Sequence, residues 1–134
     1  MSELNKTLIL RWYDEVWNQG NEQFIDEFLH SEVKAHGLGP EPLVGPHAFK
    51  PFYRAFTNAY ADINVTVQKN LTDGNYVTSL CTVKAIHKES NTPVIFMGTT
   101  LAEIVDSKLV NAWNFFDFLS LNLQIGKISA EQLR

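Results

Sequence analysis

Asp117 is the residue of this chain best suited to chemistry, because it is a lone carboxylate in an aromatic stretch. Trp113, Phe115 and Phe116 precede it, and Phe118 follows it. A carboxylate in apolar surroundings either finds a partner or has a raised pKa, which makes it a better base than one in water. We predict that Asp117 lies in a mostly apolar pocket. The alternative is that it caps a segment beginning at Phe118, since Asp is a preferred N-cap.

Two histidines could assist this carboxylate. His36 and His87 stand at the ends of two predicted strands. Imidazole titrates near neutral pH, so either side chain could donate a hydrogen bond to a substrate oxygen or orient Asp117. The alternative is that both are rim or turn histidines in water. His30 and His47 lie next to predicted helix ends, and we expect both to be solvated.

Glu103 is a second candidate carboxylate. It shares one face of a predicted strand with Met97, Thr99 and Leu101. If that face looks inward, Glu103 and Asp117 form a pair in which one carboxyl group is the acid and the other is the base. If the face looks outward, Glu103 is an ordinary solvated residue, and strand parity alone does not decide between the two.

The apolar walls of the pocket are predicted from large side chains at helical or strand spacing. These are Trp12, Tyr13, Trp17, Phe49, Phe52, Tyr53, Phe56, Met97, Trp113 and Phe115. Aromatic residues make up 12% of the chain, which suits a flat or apolar ligand, although such residues mark core packing more often than a ligand site. The sequence has no His-x-His, His-x-x-x-His or Cys pair and no phosphate-binding glycine motif. We therefore expect no metal site.

Composition limits the partners. The chain has 134 residues, a net charge of −4 and a pI near 5.5, which argues against nucleic acid and membrane surfaces as partners. No stretch approaches the ~18 apolar residues of a membrane span, and the first residues do not resemble a signal peptide. Cys81 is the single cysteine, so no internal disulfide forms. The expected location is the cytoplasm, and the expected organisation is one domain over residues 1–134.

Helices must supply one side of the pocket. Apolar residues recur at helical spacing from Leu4 to Trp17, and Gly20 is placed to end that helix. A second, short helix follows. A third carries its aromatic residues at spacings of three and four, but Pro51 is awkward within it. Either the helix begins at Pro46 and Pro51 kinks it, or the regular helix begins at Pro51, where a proline is favourable.

Strands must supply the other side. From Asp62 the hydrophobic period changes to two, and short turns at Asp73-Gly74, at residues 88–93 and at Asp106-Ser107 separate long strands. Short turns make this part of the sheet antiparallel, and long strands curl because of their twist. We predict an α+β fold, in which a cone-shaped, curved antiparallel sheet is closed by the N-terminal helices.

Four segments in order resemble the SnoaL-like polyketide cyclase branch of the NTF2-like superfamily. They are WYDEVWNQG at residues 12–20, HG at 36–37, GPHAF at 45–49 with FY at 52–53, and WNFFD at 113–117 followed by FL. The chain departs from the cyclases at residues 87–93, where they tend to carry a longer Gly-Pro-Thr-Gly segment. It also has Asp106-Ser107 in place of their Asp-Gly turn.

The resemblance implies an α+β cone barrel that is often dimeric through the outer sheet face and needs no metal or organic cofactor. It also implies that Asp117 matches the aspartate that serves the cyclases as general acid/base in an aldol ring closure. Two hypotheses follow. The first is a cofactor-independent cyclase or isomerase that abstracts a proton next to a carbonyl group of a hydrophobic compound. The second is a non-catalytic module that binds a small apolar ligand or a partner protein.

Overall fold

The computed structural model describes residues 2–134, and the chain begins with one helix in two parts. Helix α1, Ser2–Arg11, is α-helical and continues directly into a π-helical segment, Trp12–Asn18. The predicted helix is therefore present, and Gly20 follows it with a φ of +74°, as is usual for a glycine after a helix. The π-helical turn was not predicted. Its hydrogen bonds reach five residues back, as in the 2.9 Å bond from the Gln19 N–H to the Asp14 carbonyl.

The next elements are a short helix, two strands and a longer helix. They are α2, Gln23–Phe28; β1, Leu29–His36; β2, Leu43–Val44; and α3, Gly45–Ala59. Helix α3 is continuous from Gly45, so the alternative that begins it at Pro51 is wrong. Pro46 occupies the favourable first turn, whereas Pro51 lies inside the helix on its exposed side.

Four long strands and two short helical segments complete the chain. They are β3, Tyr60–Asp73; β4, Tyr76–His87; β5, Thr92–Val105; β6, Lys108–Phe116; α4, Phe118–Gln124; and a 3₁₀ helix, Ala130–Leu133. The predicted tight turns are present. Gly74 has a φ of +60°, and Asp106 and Ser107 have φ values of 50° and 64°, the pair of left-handed residues that a type I′ hairpin turn requires.

The sheet has the strand order β2-β1-β6-β5-β4-β3, and the α+β prediction is confirmed. Strands β3 to β6 form the predicted antiparallel meander, but β1 lies parallel to β6, so the sheet is mixed. In residues 2–134 the two end strands, β2 and β3, do not pair with each other, so helices cover the curved sheet without its closing into a barrel.

Alternation along β5 shows which face of the sheet is internal. Its even-numbered residues from Val94 to Ile104 are buried, and its odd-numbered residues are exposed or half-buried. The helices cover the buried face, and side chains from α1, the π-helical segment, α2 and α3 join it in one core. Within the described part of the chain, no helix is both long and apolar enough to cross a bilayer.

Candidate functional site

A cavity of about 90 Å³ lies between the internal face of the sheet and the helices. Nearly all of its surface is apolar. Its lining comprises Ile9, Trp12, Tyr13, Trp17, Leu29, Val33, Ala35, Leu38, Phe49, Phe52, Phe56, Ile63, Val65, Val83, Phe96, Thr100, Ala102, Leu109, Ala112, Asn114, Phe116 and Phe118. No carboxylate, histidine or lysine is part of this lining.

The π-helical segment and α3 supply the aromatic side of the cavity. Trp12, Tyr13 and Trp17 come from the π-helical segment, and α3 contributes Phe49, Phe52 and Phe56. The two groups interlock edge to face: the rings of Trp17 and Phe56 are 5.7 Å apart at an interplanar angle of 89°. These six residues are among the predicted pocket walls. Tyr53, also predicted as a wall, is buried beside the cavity, and its hydroxyl donates to the Val16 carbonyl at 2.8 Å.

Three other predicted walls lie on the opposite side of the sheet. Met97 is 45% exposed and Phe115 is 69% exposed, and Trp113 is half-buried on the same outer face. The prediction that they line the pocket is wrong, because internal side chains come from the even-numbered positions of β5 and of the second half of β6. Phe116, which was not among the predicted walls, has the internal position instead.

Asp117 lies at the N-cap of α4, and its side chain is exposed. Its Oδ1 accepts a hydrogen bond from the Ser120 backbone N–H at 2.9 Å. The prediction of an apolar pocket around Asp117 is therefore wrong, and the capping alternative describes what is found. Asp117 nevertheless stands between two cavity-lining residues, Phe116 and Phe118, so it is close to the site in sequence.

The two predicted histidine helpers also lie outside the cavity lining. The half-buried ring of His36 stacks on Trp113, with ring centroids 5.3 Å apart and an interplanar angle of 4°. His87, at the end of β4, is hydrogen-bonded through Nδ1 to the Ser90 hydroxyl at 2.7 Å. The structure does not bring either imidazole ring together with Asp117 in one pocket.

Glu103 points to the outer face of the sheet. Its Oε1 accepts a hydrogen bond from the Asn111 side chain at 2.9 Å. The predicted carboxylate pair of Glu103 and Asp117 inside the cavity is therefore wrong, and the outward alternative for Glu103 is the one observed.

A short polar chain crosses the otherwise apolar lining. The Tyr13 hydroxyl bonds the Thr100 hydroxyl at 2.7 Å, and the Thr100 hydroxyl bonds Oδ1 of Asn114 at 3.1 Å. Nδ2 of Asn114 then donates to the His36 backbone carbonyl at 2.9 Å. Tyr13 and Thr100 are 5% and 6% exposed, so their end of the chain is desolvated, whereas Asn114 is half-buried.

Burial changes the acidity of two groups at this chain. It strongly raises the pKa of the Tyr13 phenol, so Tyr13 stays protonated and does not act as a base at ordinary pH. Burial also raises the pKa of the adjacent Cys81 thiol to about 11.

Thr100 and Asn114 were missed in the sequence, although a polar residue at an internal strand position between apolar ones was a signal that could have identified them.

Residues 2–134 hold no cluster of three or more histidine, cysteine, aspartate or glutamate side chains that could bind a metal ion. The polar groups at the cavity are a phenol, a hydroxyl and an amide, which are weak ligands for most metals. These groups can form hydrogen bonds to a ligand that is otherwise apolar.

Comparison with known proteins gives a family match over most of the chain. The family profile of SnoaL-like polyketide cyclases matches residues 7–125. No curated protein matches the chain.

Solved structures show the same fold at low sequence identity. A candidate SnoaL-like polyketide cyclase from Jannaschia sp. CCS1 has a TM-score of 0.85 at 17% identity and 94% coverage of both chains. AclR, a candidate hydroxylase from Streptomyces galilaeus, has a TM-score of 0.84 at 18% identity, covering 96% of this chain and 99% of its own. A Catenulispora acidiphila protein with a ketosteroid isomerase-like fold, solved with trimethylamine, has a TM-score of 0.79 at 15% identity, covering 89% and 92%. These similarities show the fold alone.

Proposed function

Because the chain belongs to the SnoaL-like polyketide cyclase family, we propose that it binds a small, mainly apolar ligand in the cavity between its helices and its sheet. The observation that carries this proposal is the lining itself, which is aromatic and aliphatic apart from the Tyr13–Thr100–Asn114 chain. Binding sites for small molecules are typically apolar with a few placed polar groups. One structural relative was solved with a small molecule, trimethylamine.

The volume limits the enclosed part of the ligand to a group no larger than one ring. An engineered apolar cavity of about 150 Å³ binds benzene, and the cavity here is about 90 Å³. A larger ligand would have to place one ring-sized portion inside and leave the remainder outside. Because no carboxylate lines the cavity, binding without chemistry is the function that this geometry supports best.

Toluene titration followed by the fluorescence of Trp12 and Trp17 tests this proposal, since both residues line the cavity. We expect saturable binding by the parent protein. Ala112→Leu and Val83→Leu should weaken it at least about fivefold, because each added methylene takes ligand space. Ala55→Leu, on an exposed side of α3, is the matched control and should bind like the parent. Absence of saturable binding by the parent, or equal binding by all variants, would contradict the proposal.

The second candidate function is general acid–base catalysis by Asp117 in a cyclisation or isomerisation next to a carbonyl group. The supporting observation is the position of Asp117 between Phe116 and Phe118, both of which line the cavity. A ligand that extends beyond the cavity past these rings would come near the carboxylate. His36 and His87 would then serve as hydrogen-bond donors. Turnover of a ketone larger than one ring, abolished by Asp117→Asn and retained in Glu103→Gln, would support this function.

The outer sheet face supports a homodimer. Ile95, Met97, Leu101 and Phe115 are 51%, 45%, 38% and 69% exposed. They are neighbours, because Leu101 lies opposite Trp113 and Thr99 lies opposite Phe115 across β5 and β6. An apolar patch of this kind on an antiparallel sheet suits burial against a second copy.

Sedimentation equilibrium tests the dimer. We expect a dimer for the parent and a monomer for Phe115→Lys, because a charged side chain in the middle of the patch would be desolvated on association. Leu4→Lys, an equally large change at a residue of α1 that is 48% exposed, should remain dimeric. A monomeric parent would contradict the proposal.

The location in the cytoplasm remains a prediction from the sequence.

A further inference from the structure

The hydrogens of the polar chain at the cavity have one consistent arrangement. The His36 backbone carbonyl can only accept, so the Asn114 amide must turn its Nδ2 toward it, which leaves Oδ1 facing Thr100. Oδ1 can only accept, so the Thr100 hydroxyl donates its single proton there. The Tyr13 hydroxyl must then donate its own proton to Thr100.

This arrangement leaves Tyr13 with no proton for a ligand. Its oxygen can still accept a hydrogen bond. The buried Cys81 thiol beside it is a weak donor that competes with a ligand for this oxygen. At the other end of the chain, Asn114 keeps one further amide N–H beyond the bond to His36. Either a hydroxyl or a carbonyl oxygen can accept from that N–H, but only a hydroxyl group can donate to the Tyr13 oxygen.

We infer that the ligand of this cavity carries a hydroxyl group that donates its hydrogen to the Tyr13 oxygen, so that the site selects an alcohol or phenol over a ketone or aldehyde of the same size. This inference rests on the proposed binding function and narrows the ligand class. It makes Thr100 the residue that determines specificity, because Thr100 takes up the Tyr13 proton. A ligand that accepts without donating could bond Tyr13 only by breaking the Tyr13–Thr100 bond in a desolvated site.

Three one-ring probes test the inference by isothermal titration calorimetry. Phenol donates and accepts, benzaldehyde only accepts, and toluene does neither. With the parent protein, phenol should bind about three- to tenfold more tightly than the other two, which is the effect expected of one net hydrogen bond.

Two substitutions separate the hydrogen bond from ring packing. Tyr13→Phe removes the acceptor, so the preference for phenol over toluene should fall below about twofold. Thr100→Val keeps the side-chain shape but frees the Tyr13 proton, so benzaldehyde should gain about three- to tenfold relative to toluene. Thr99→Val is the matched control, because Thr99 lies on the opposite face of the same strand, and it should keep the parent preference. Thermal melting confirms that each variant is folded.

The outcomes separate two failures. If none of the probes binds the parent, the proposed binding function is overturned, and the inference with it. If all three bind with equal affinity, or if benzaldehyde binds the parent more tightly than phenol does, binding in the cavity stands and the hydroxyl preference is overturned. The inference is also overturned if Thr100→Val leaves the affinity for benzaldehyde relative to toluene unchanged.

Discussion

The side chain of Asn18 is hydrogen-bonded to both backbone groups of Val65. Its Nδ2 donates to the Val65 carbonyl at 3.1 Å, and its Oδ1 accepts from the Val65 N–H at 2.6 Å. Val65 pairs with Val83 of β4 on its other side, and β3 is an edge strand. Asn18 therefore takes the place of a neighbouring strand at this point and joins the end of the π-helical segment to the sheet beside the cavity.

Asn18→Ala should lower the free energy of unfolding by about 2 kcal/mol, because it leaves two partly buried backbone groups of Val65 without partners. Urea unfolding at neutral pH measures the change. Asn58→Ala, at an exposed position of α3, is the control and should change stability by less than about 0.5 kcal/mol. If Asn18→Ala were as mild as the control, Asn18 would not be holding β3.

Asp117→Ala should lower stability by about 1 kcal/mol, since it removes the bond to the Ser120 N–H at the start of α4. Asp117→Asn should stay within about 0.5 kcal/mol of the parent, because Asn caps as well as Asp. Thermal unfolding of the parent and both variants provides the comparison. If Asp117→Asn melted clearly above the parent, that result would instead indicate a carboxylate held under strain in an apolar site.

Gly37→Ala should be strongly destabilising, by about 2 kcal/mol or more. Gly37 has a φ of +86°, and a Cβ atom there would overlap the backbone carbonyl oxygen of Asn114. The Cβ atom is fixed by the backbone at residue 37 and the atom that it meets is part of the backbone of Asn114, so neither can rotate away. Gly39→Ala is the matched control, since a Cβ atom at residue 39 meets nothing within 4 Å and its φ is not positive. Similar melting temperatures for the two variants would contradict this close approach of β1 and β6.

Stability should fall at alkaline pH because of Cys81. The pKa of its thiol is raised from 9.0 to about 11 in the folded protein. The unfolded chain therefore releases this proton first, and the stabilisation present below pH 9 is lost as pH rises toward 11, by up to about 1.4 kcal/mol per pH unit.

Urea unfolding of the parent and of Cys81→Ala from about pH 8 to about pH 9.5 measures this effect, in a range below the ordinary pKa of tyrosine, which is about 10. The variant should be less stable than the parent at pH 8 but should have the flatter pH dependence. Parallel curves for the two proteins would show that Cys81 is not the titrating group.

Periodicity predicted the elements well because each period reports local geometry. The boundaries of β4 and both left-handed turns follow from alternation and turn residues in the sequence. Which face of β5 is internal was not decided by alternation, because both of its faces carry apolar residues, Phe96 on one and Met97 on the other. Gly98 is the residue that indicates the internal face of β5. A Cβ atom at residue 98 would overlap the ring of Phe116, so only glycine fits on this crowded face.

The site was predicted less well than the fold for the same reason. The aromatic residues of the helices were placed correctly because a covering helix has a single apolar side. Asp117 was misplaced because its position is decided by a turn: the chain leaves β6 after Phe116, and α4 begins one residue after Asp117. A carboxylate at the end of a strand can point into the core, and a carboxylate at the N-cap of a helix points to solvent. The sequence pattern around Asp117 is the same in both cases, so it does not distinguish them.

The π-helical segment gives the interior a tolerance of chain length. A π-helical turn contains one residue more than the α-helical turn it replaces. Trp12 and Trp17 are five residues apart and share one side of this widened turn, so both indole rings line the cavity. Deleting one of residues 14–16 would put these two residues four apart and allow α-helical bonding to continue from α1, and residues four apart also share one side of a helix. Family members that are one residue shorter at this turn should therefore keep both rings at the cavity.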